Sequence, residues 1–520
     1  MKRLACFCLV AVAGFPALAV AADPIRVTGG EISGTIDDGV RAYKGIPFAA
    51  PPVGELRWQP PQAVIPWAGV KECSEFSEIC PQPGYPDGSF YKRPAVPMNE
   101  DCLYLNVWTD AEKVKEKRPV MVWFHGGALT RGTGSIPTYN GANLAKKGVV
   151  LVTVNYRLGP LGYLAHPELT EESAQGSSGN YGVLDQVAAL RWVNRNIELF
   201  GGDPDNVTIF GESAGSWSVH ALLATPLSKG LVHRAIGESG ATFGWDFYLA
   251  DKSKTGSVSG EEVGLAFMKA LGVETLAEMR ALPSEKIVEV FEKNPEGRKF
   301  RTRPVVDGWV FPEETENIFY SGRQHDVPVM VGFNAKEMST LSNPATLPKE
   351  MGDYRARITT QYGANADGFH AVYPASTIEE ASDAYLRSQG DTFFGLQMRG
   401  WARATERLDS NAYLYYFTRV PPLPQSEYTG AYHAAEIAYA FNNNGKSNDY
   451  TTEIDLRLAD QISDYWVNFA TNGDPNGKGL PKWLPYSTHN GDYMELGDTP
   501  KAGQHVLKEQ LDFLEKALVR

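Results

Sequence analysis

Apolar residues in this chain gather in short unbroken runs separated by polar turns. Residues 119–124 (PVMVWF), 149–155 and 328–332 are such runs, and each predicts a strand buried on both faces. Residues 103–109 alternate as a strand does, and 206–210 mix β-branched and apolar positions to predict another. Residues 185–196 show helical periodicity, while 217–224 form an apolar, helix-permissive run. Residues 31–61 predict short strands followed by a proline-rich surface segment. Strand and helix alternate from 119 to 215, which predicts an α/β chain with a doubly wound, mostly parallel central sheet. In such sheets the ligand crevice lies beyond the carboxyl ends of the strands.

No internal repeat, low-complexity tract or long linker interrupts residues 23–520, which read as one domain. Residues 1–22 differ. Lys2 and Arg3 precede an apolar run over 4–20, and small residues (Ala17, Ala19, Ala21, Ala22) follow. That is the plan of a signal peptide, too short for a membrane span, with cleavage expected between Ala19 and Asp23. No later run reaches the ~18 apolar residues that a span needs, so an exported protein, periplasmic or secreted, without a membrane anchor is expected. The net charge of −13 argues against a nucleic-acid partner, since phosphate binding wants a basic face. Cys6 and Cys8 leave with the leader, so Cys73, Cys80 and Cys102 remain, enough for one bridge and one leftover thiol. No C-x-x-C pair suggests a metal site, and no phosphate loop or dinucleotide fingerprint suggests a cofactor.

Two motifs fall at predicted strand ends. Gly211-Glu212-Ser213-Ala214-Gly215 follows the run 206–210 and precedes the helix-permissive run, the setting of a nucleophile elbow. The glycines are needed because a side chain at 211 or 215 would strike the neighbouring strand and helix. His125-Gly126-Gly127-Ala128 follows the run 119–124. Acyl transfer from an ester places negative charge on the former carbonyl oxygen, and each backbone N–H aimed at it can be worth ~3 kcal/mol. The amides of Gly127 and Ala128, with that of Ala214 after the serine, are suited to that oxyanion hole. A serine hydroxyl also needs a histidine to take its proton and a carboxylate to orient that histidine, in the chain order Ser, acid, His. Past the middle of the chain stand His370, His433, His489 and His505, and spacing alone leaves the choice among them open.

The chain resembles the type-B carboxylesterases of the α/β-hydrolase fold, which include para-nitrobenzyl-type esterases and cholinesterases. The resemblance rests on YKGIPFAAPPVGELRW (43–58), EDCLYLNVW (100–108), VWFHGGA (122–128), NYRLGPLGYL (155–164) and GNYGVLDQVAALRWVNRNIELFGGDPDNVTIFGESAG (179–215). It continues through PVVDG (304–308), HAAEIAYAF (433–441) and WVNFATNGDPN (466–476). It implies helical insertions over the active site and picks His433, followed three residues later by Glu436, as the base. It maps the acid to Glu337, although Lys336 and Met338 stand where the family carries Asp and Gly. Asp307 is the alternative carboxylate, which the resemblance makes a structural turn residue. Glu212 becomes a supporting carboxylate, His220 and His233 structural residues. The family's N-terminal bridge pairs Cys80 with Cys102, leaving Cys73 free and setting the loop 81–101, with Tyr85, Phe90 and Tyr91, over the site entrance. The resemblance further implies pockets lined from that loop, from residues after Glu238-Ser239-Gly240, where Trp245 stands, and from 340–410. Leu129 replaces the Phe usual in para-nitrobenzyl-type relatives. The expected activity is hydrolysis of a small-molecule carboxylic ester through an acyl-enzyme, with no cofactor. A lipase, an amide hydrolase and a non-catalytic cholinesterase-like binding module are the alternatives.

Overall fold

The apolar runs become neighbouring strands of one sheet. The computed structural model describes residues 21–253, 256, 258–293, 303–447 and 450–518. Its strands are β1 (Ala21–Val27), β2 (Gly30–Asp37), β3 (Val40–Pro47), β4 (Val70–Glu72), β5 (Tyr104–Thr109), β6 (Arg118–Phe124), β7 (Val150–Val154), β8 (Gly202–Glu212), β9 (Arg234–Glu238), β10 (Val329–Asn334), β11 (Ala412–Phe417), β12 (Asp492–Leu496) and β13 (Lys501–Gln504). They lie in the order β1-β2-β3-β5-β7-β6-β8-β9-β10-β11-β12-β13, with β4 beside β2. Every pairing from β7 through to β12 is parallel. The pairs β1–β2, β2–β3, β3–β5, β5–β7 and β12–β13 are antiparallel. The expected leader lies outside the described residues except for Ala21 and Ala22, which pair with β2.

Helices cover both faces: α1 (Tyr181–Asn196), α2 (Ala214–Ala224), α3 (Ile378–Gly390), α4 (Leu396–Thr405), α5 (Glu453–Asn472) and α6 (Lys508–Leu518). On β6, Val120, Val122 and Phe124 share a core with Leu190 of α1, Leu222 of α2 and Trp401 of α4. Met121 and Trp123 share the opposite core with Leu458, Ile462 and Trp466 of α5. Burial on both sides is why the central strands read as continuous apolar runs. The stretch 340–410 is helical as expected, with Met351–Tyr362, Ala366–Val372, α3, a π-helical turn at Asp391–Gly395 and α4. Among the described residues no helix is long and apolar enough to cross a membrane.

Helix α1 starts one turn before the periodic stretch 185–196. Gly182 masks that turn in the sequence, because glycine is a poor helix former. It is needed there, since a Cβ at 182 would lie 2.5 Å from the Tyr163 hydroxyl. The same helix anchors the loop after β7. Asp185 accepts from Arg157 Nε (2.8 Å), Nη2 (2.7 Å) and backbone N (3.0 Å), and both side chains are buried. Removing one partner of such a pair strands the other charge in the core, at ~3–5 kcal/mol. Asp185→Ala is therefore expected to lower the urea midpoint by that equivalent, and Asp185→Asn, which keeps one acceptor oxygen, by less. Equal midpoints for wild type and Asp185→Ala would show that the pair holds nothing together.

Candidate active site

Strand β8 ends at Glu212 and α2 begins at Ala214, so Ser213 alone makes the turn between them. Its backbone sits at φ 56°, ψ −120°, a sparsely populated region that costs ~1–3 kcal/mol for a residue with a side chain. Two hydrogen bonds hold it there: Ser213 N donates to Glu238 O (2.8 Å), and Ser213 O accepts from Trp217 N (2.9 Å). The glycine requirement is steric, as expected. A Cβ on Gly215 would lie 2.0 Å from the Phe124 carbonyl oxygen, and one on Gly211 would lie 2.6 Å from the same oxygen. Anything larger would lift α2 off the end of β6.

The loop leaving β6 presses against this turn. A Cβ on Gly126 would lie 2.7 Å from Glu212 O and 3.2 Å from Ser213 Cβ. Gly127, at φ 111°, folds the loop back so that its carbonyl accepts from Thr130 N (3.1 Å) and Arg131 N (2.9 Å). Ala128 and Leu129 continue the curl at φ 57° and 58°. Gly127, Ala128 and Ser213 line one cavity, and Ala214 supplies the first amide of α2, which has no carbonyl four residues back to meet it. Leu129 turns into the core, where its carbonyl accepts from Gly159 N at 2.7 Å.

Glu337, in the turn after β10, and His433, in the long connection after β11, are brought together. His433 Nδ1 lies 2.6 Å from Glu337 Oε2, and Glu337 Oε1 accepts from Ser239 Oγ and Asn334 N, both at 2.7 Å. The departures at 336 and 338 leave this arrangement intact, because main-chain bonding sets the register. Lys336 N donates to Ala431 O at 2.9 Å, a β-bridge joins Lys336 to Tyr432, and the Lys336 side chain pairs with Asp383 at 3.2 Å. Phe394, in the π-helical turn, packs against the His433 ring at 4.7 Å. Sequence reasoning singled out neither Ser239 nor Phe394. Ser239 directly follows β9, a strand-end signal of the kind that exposed Ser213, whereas Phe394 carried none.

The free nitrogen of His433 meets a second carboxylate. Nε2 lies 3.0 Å from Glu212 Oε1, close in distance but off the line of a hydrogen bond. Burial alone would pull the His433 titration down, but Glu212 and Glu337 outweigh it and hold it well above the usual histidine range. Burial in turn raises Glu212, against the pull of His433. Two more acids surround the pair. Burial pushes Glu238 up to about 8 although Trp466 Nε1 donates to it (2.8 Å), and lifts Glu436, bonded to Asn334 Nδ2.

Other expectations fall as follows. Asp307 is a turn residue, accepting from Trp309 N, Phe311 N and Asn180 Nδ2. His220 is stacked on Phe319 at 3.7 Å, and His233 Nδ1 accepts from Val207 N at 3.1 Å, both within the fold. His489 and His505 are exposed, and His370 lies against Tyr354 and Phe369. Cys80 and Cys102 are bridged and Cys73 is buried. The bridged loop does cover the site: Tyr91 Oη donates to the His433 carbonyl at 2.8 Å, and Phe90 packs on Tyr432. The cavity over Ser213 and His433 has a volume of about 460 Å³. Its walls correct one expectation. Tyr85, Tyr91 and Leu341 contribute as predicted, but Ile136, Tyr139, residues 421–423 and Tyr432 also line it. Residues after Gly240 do not line it; Trp245 instead packs edge-on against Trp217 of α2. Among the described residues no group of His, Cys, Asp and Glu is arranged to hold a metal ion.

The carboxylesterase family profile matches residues 21–514. A fumonisin B1 esterase from Sphingopyxis macrogoltabida is 36% identical to the chain, covering 91% of it and 86% of the relative. A para-nitrobenzyl esterase from Bacillus subtilis (strain 168) is 34% identical, covering 88% and 91%. Among solved structures, a PNB esterase aligns with a TM-score of 0.78 at 31% identity, covering 94% of this chain and 99% of that one. The Geobacillus stearothermophilus carboxylesterase EST55 at pH 6.2 aligns at 0.79, with the same identity and coverage. The fold is thus the α/β-hydrolase fold.

The two carboxylates around His433 make a prediction about its titration. Deleting one anion by Glu212→Gln lowers the preference for imidazolium, so the ring titration moves down toward ~6.5. Ring-nitrogen NMR shifts across a pH series read this directly. An identical titration in the variant would mean that Glu337 alone sets it.

Proposed function

The chain belongs to the carboxylesterase family and is an ester-hydrolysing enzyme, and from that premise we propose that Ser213, His433 and Glu337 carry the reaction. The observation that supports this most is the 2.6 Å contact of Glu337 with His433 beside a serine held at a strained strand-to-helix turn. His433 takes the Ser213 proton as Oγ attacks the ester carbonyl, and Glu337 keeps Nδ1 protonated and stabilises the imidazolium. The amides of Gly127, Ala128 and Ala214 receive the developing oxyanion. Imidazolium then protonates the departing alcohol, leaving an acyl-enzyme. Water, deprotonated by His433, releases the acid.

Glu212 is the supporting group. Its position at Nε2 means that the ring must realign from Glu212 to Ser213 Oγ when substrate arrives; such bonds commonly tighten only in the Michaelis complex. Export through the leader at 1–22 is part of the same reading, and the Cys80–Cys102 bridge supports it, since disulfides persist in oxidising compartments. A cavity of about 460 Å³ suits a small-molecule ester.

Turnover of p-nitrophenyl esters from acetate to palmitate, for wild type and Ser213→Ala, tests the proposal. Ser213→Ala is expected to lower kcat by about 10⁴-fold or more without unfolding the protein. Serine-dependent turnover that peaks at short acyl chains supports the carboxylesterase reading, and a long-chain optimum moves it to lipase. Full turnover in the alanine variant would place the nucleophile elsewhere.

A further inference from the structure

Two guanidinium groups line the cavity without a carboxylate to meet them. Arg131 stands four residues beyond Gly127 on the glycine loop. Its Nε donates to the Gly84 carbonyl at 3.1 Å, and its guanidinium lies 5.8 Å from the Tyr85 ring centre. The side chain therefore bridges the glycine loop and the disulfide-closed loop, and it is only half exposed. Arg93 lies farther along the closed loop, within electrostatic reach of Tyr85, Tyr139 and Tyr432. Among the described residues neither arginine has an acidic side chain within 4.0 Å. The nearest cation to them in sequence, Lys92, is already engaged by Asp87 at 2.6 Å.

This is not a shortage of acids, because the chain carries 62 carboxylate residues against 49 cationic ones. Fully buried arginines are matched by acids, as Arg57 is by Glu100 and Arg157 by Asp185, whereas the half-buried Arg41 and Arg234 meet carbonyl and amide oxygens. Nor do the acids in the cavity cancel the arginines. Glu212 is committed to His433, and Asp455 to Arg419 and Tyr439. Glu292, the carboxylate among the described residues that acts on Arg131 electrostatically, is exposed and beyond ion-pair distance. Partial burial of an unpaired guanidinium is costly, and its planar fork of donors matches a carboxylate in two-point contact.

We infer that the cavity selects esters that carry a free carboxylate, bound by Arg131 and drawn in by Arg93. The inference rests on the esterase reading and adds the charge of the substrate to it. The carboxylate can sit on the acid or on the alcohol side of the scissile bond, and two matched pairs separate these cases. Ethyl hydrogen glutarate against diethyl glutarate tests the acid side; O-acetylglycolate against its methyl ester tests the alcohol side. All four are followed by pH-stat.

In at least one pair the anionic ester is expected to show about tenfold higher kcat/KM, chiefly through KM. Added salt should shrink that preference. Arg131→Gln should abolish it, and Arg93→Gln, at an exposed position, should weaken it while the neutral esters report on folding. Preference for the neutral ester in both pairs, with hydrolysis intact, would overturn this inference and leave the esterase reading standing. No hydrolysis of these esters or of p-nitrophenyl acetate would overturn both.

Discussion

The constraint on which the site depends is the contact between the first turn of α2 and the carbonyl end of β6. Gly215 allows it, and a single added carbon would collide with Phe124 O at 2.0 Å. Because α2 is pulled down onto β6, the chain must turn from β8 into α2 within one residue, which strains Ser213 and lifts its side chain out of the sheet. The same approach brings Gly126 against Ser213 Cβ, so the loop amides and the serine share one cavity. Strain at 213 persists because strands on either side over-determine it: β6 through Phe124, β9 through Glu238 O.

The electrostatics follow from burial. Glu212, Glu337 and Glu436 converge on or near one histidine, with Glu238 close behind, in a space where ionised carboxylates are costly. Glu337 is matched by three donors, from Ser239, Asn334 and His433. Glu212 and Glu436 each leave an oxygen without an aligned donor, and burial drives both toward the protonated form. The site thus gives Glu337, which orients the ring, a full set of donors and leaves its neighbours short of them.

Local features of the sequence were legible because local physics produces them. The run 119–124 reads as a buried strand since Val122 and Trp123 face opposite cores, and Gly211-x-Ser213-x-Gly215 reads as a turn since each glycine answers a steric need. The family resemblance, and not local physics, singled out Glu337 and His433, even past Lys336 and Met338. What stayed hidden depends on contacts between distant segments. Glu212 meeting His433 spans 221 positions, the lining from 421–423 and Tyr432 is set by how the chain returns after β11, and Trp245 turns to Trp217 rather than the cavity. The early start of α1 was concealed for the opposite reason, since Gly182 serves Tyr163 and so reads locally as a break.

The strand order has a consequence for biosynthesis. From β9 onward, each strand pairs with the one before it in sequence, so that half of the sheet extends outward in the direction of translation. At every intermediate length the growing side ends in an unpaired parallel edge, open to the next strand or to another nascent chain. Ser213 precedes β9 in the chain, whereas Glu337 and His433 follow β10 and β11. The last strand added, β13, is four residues long, antiparallel and solvent-facing, and it begins with Lys501. A short charged edge of that kind discourages further pairing.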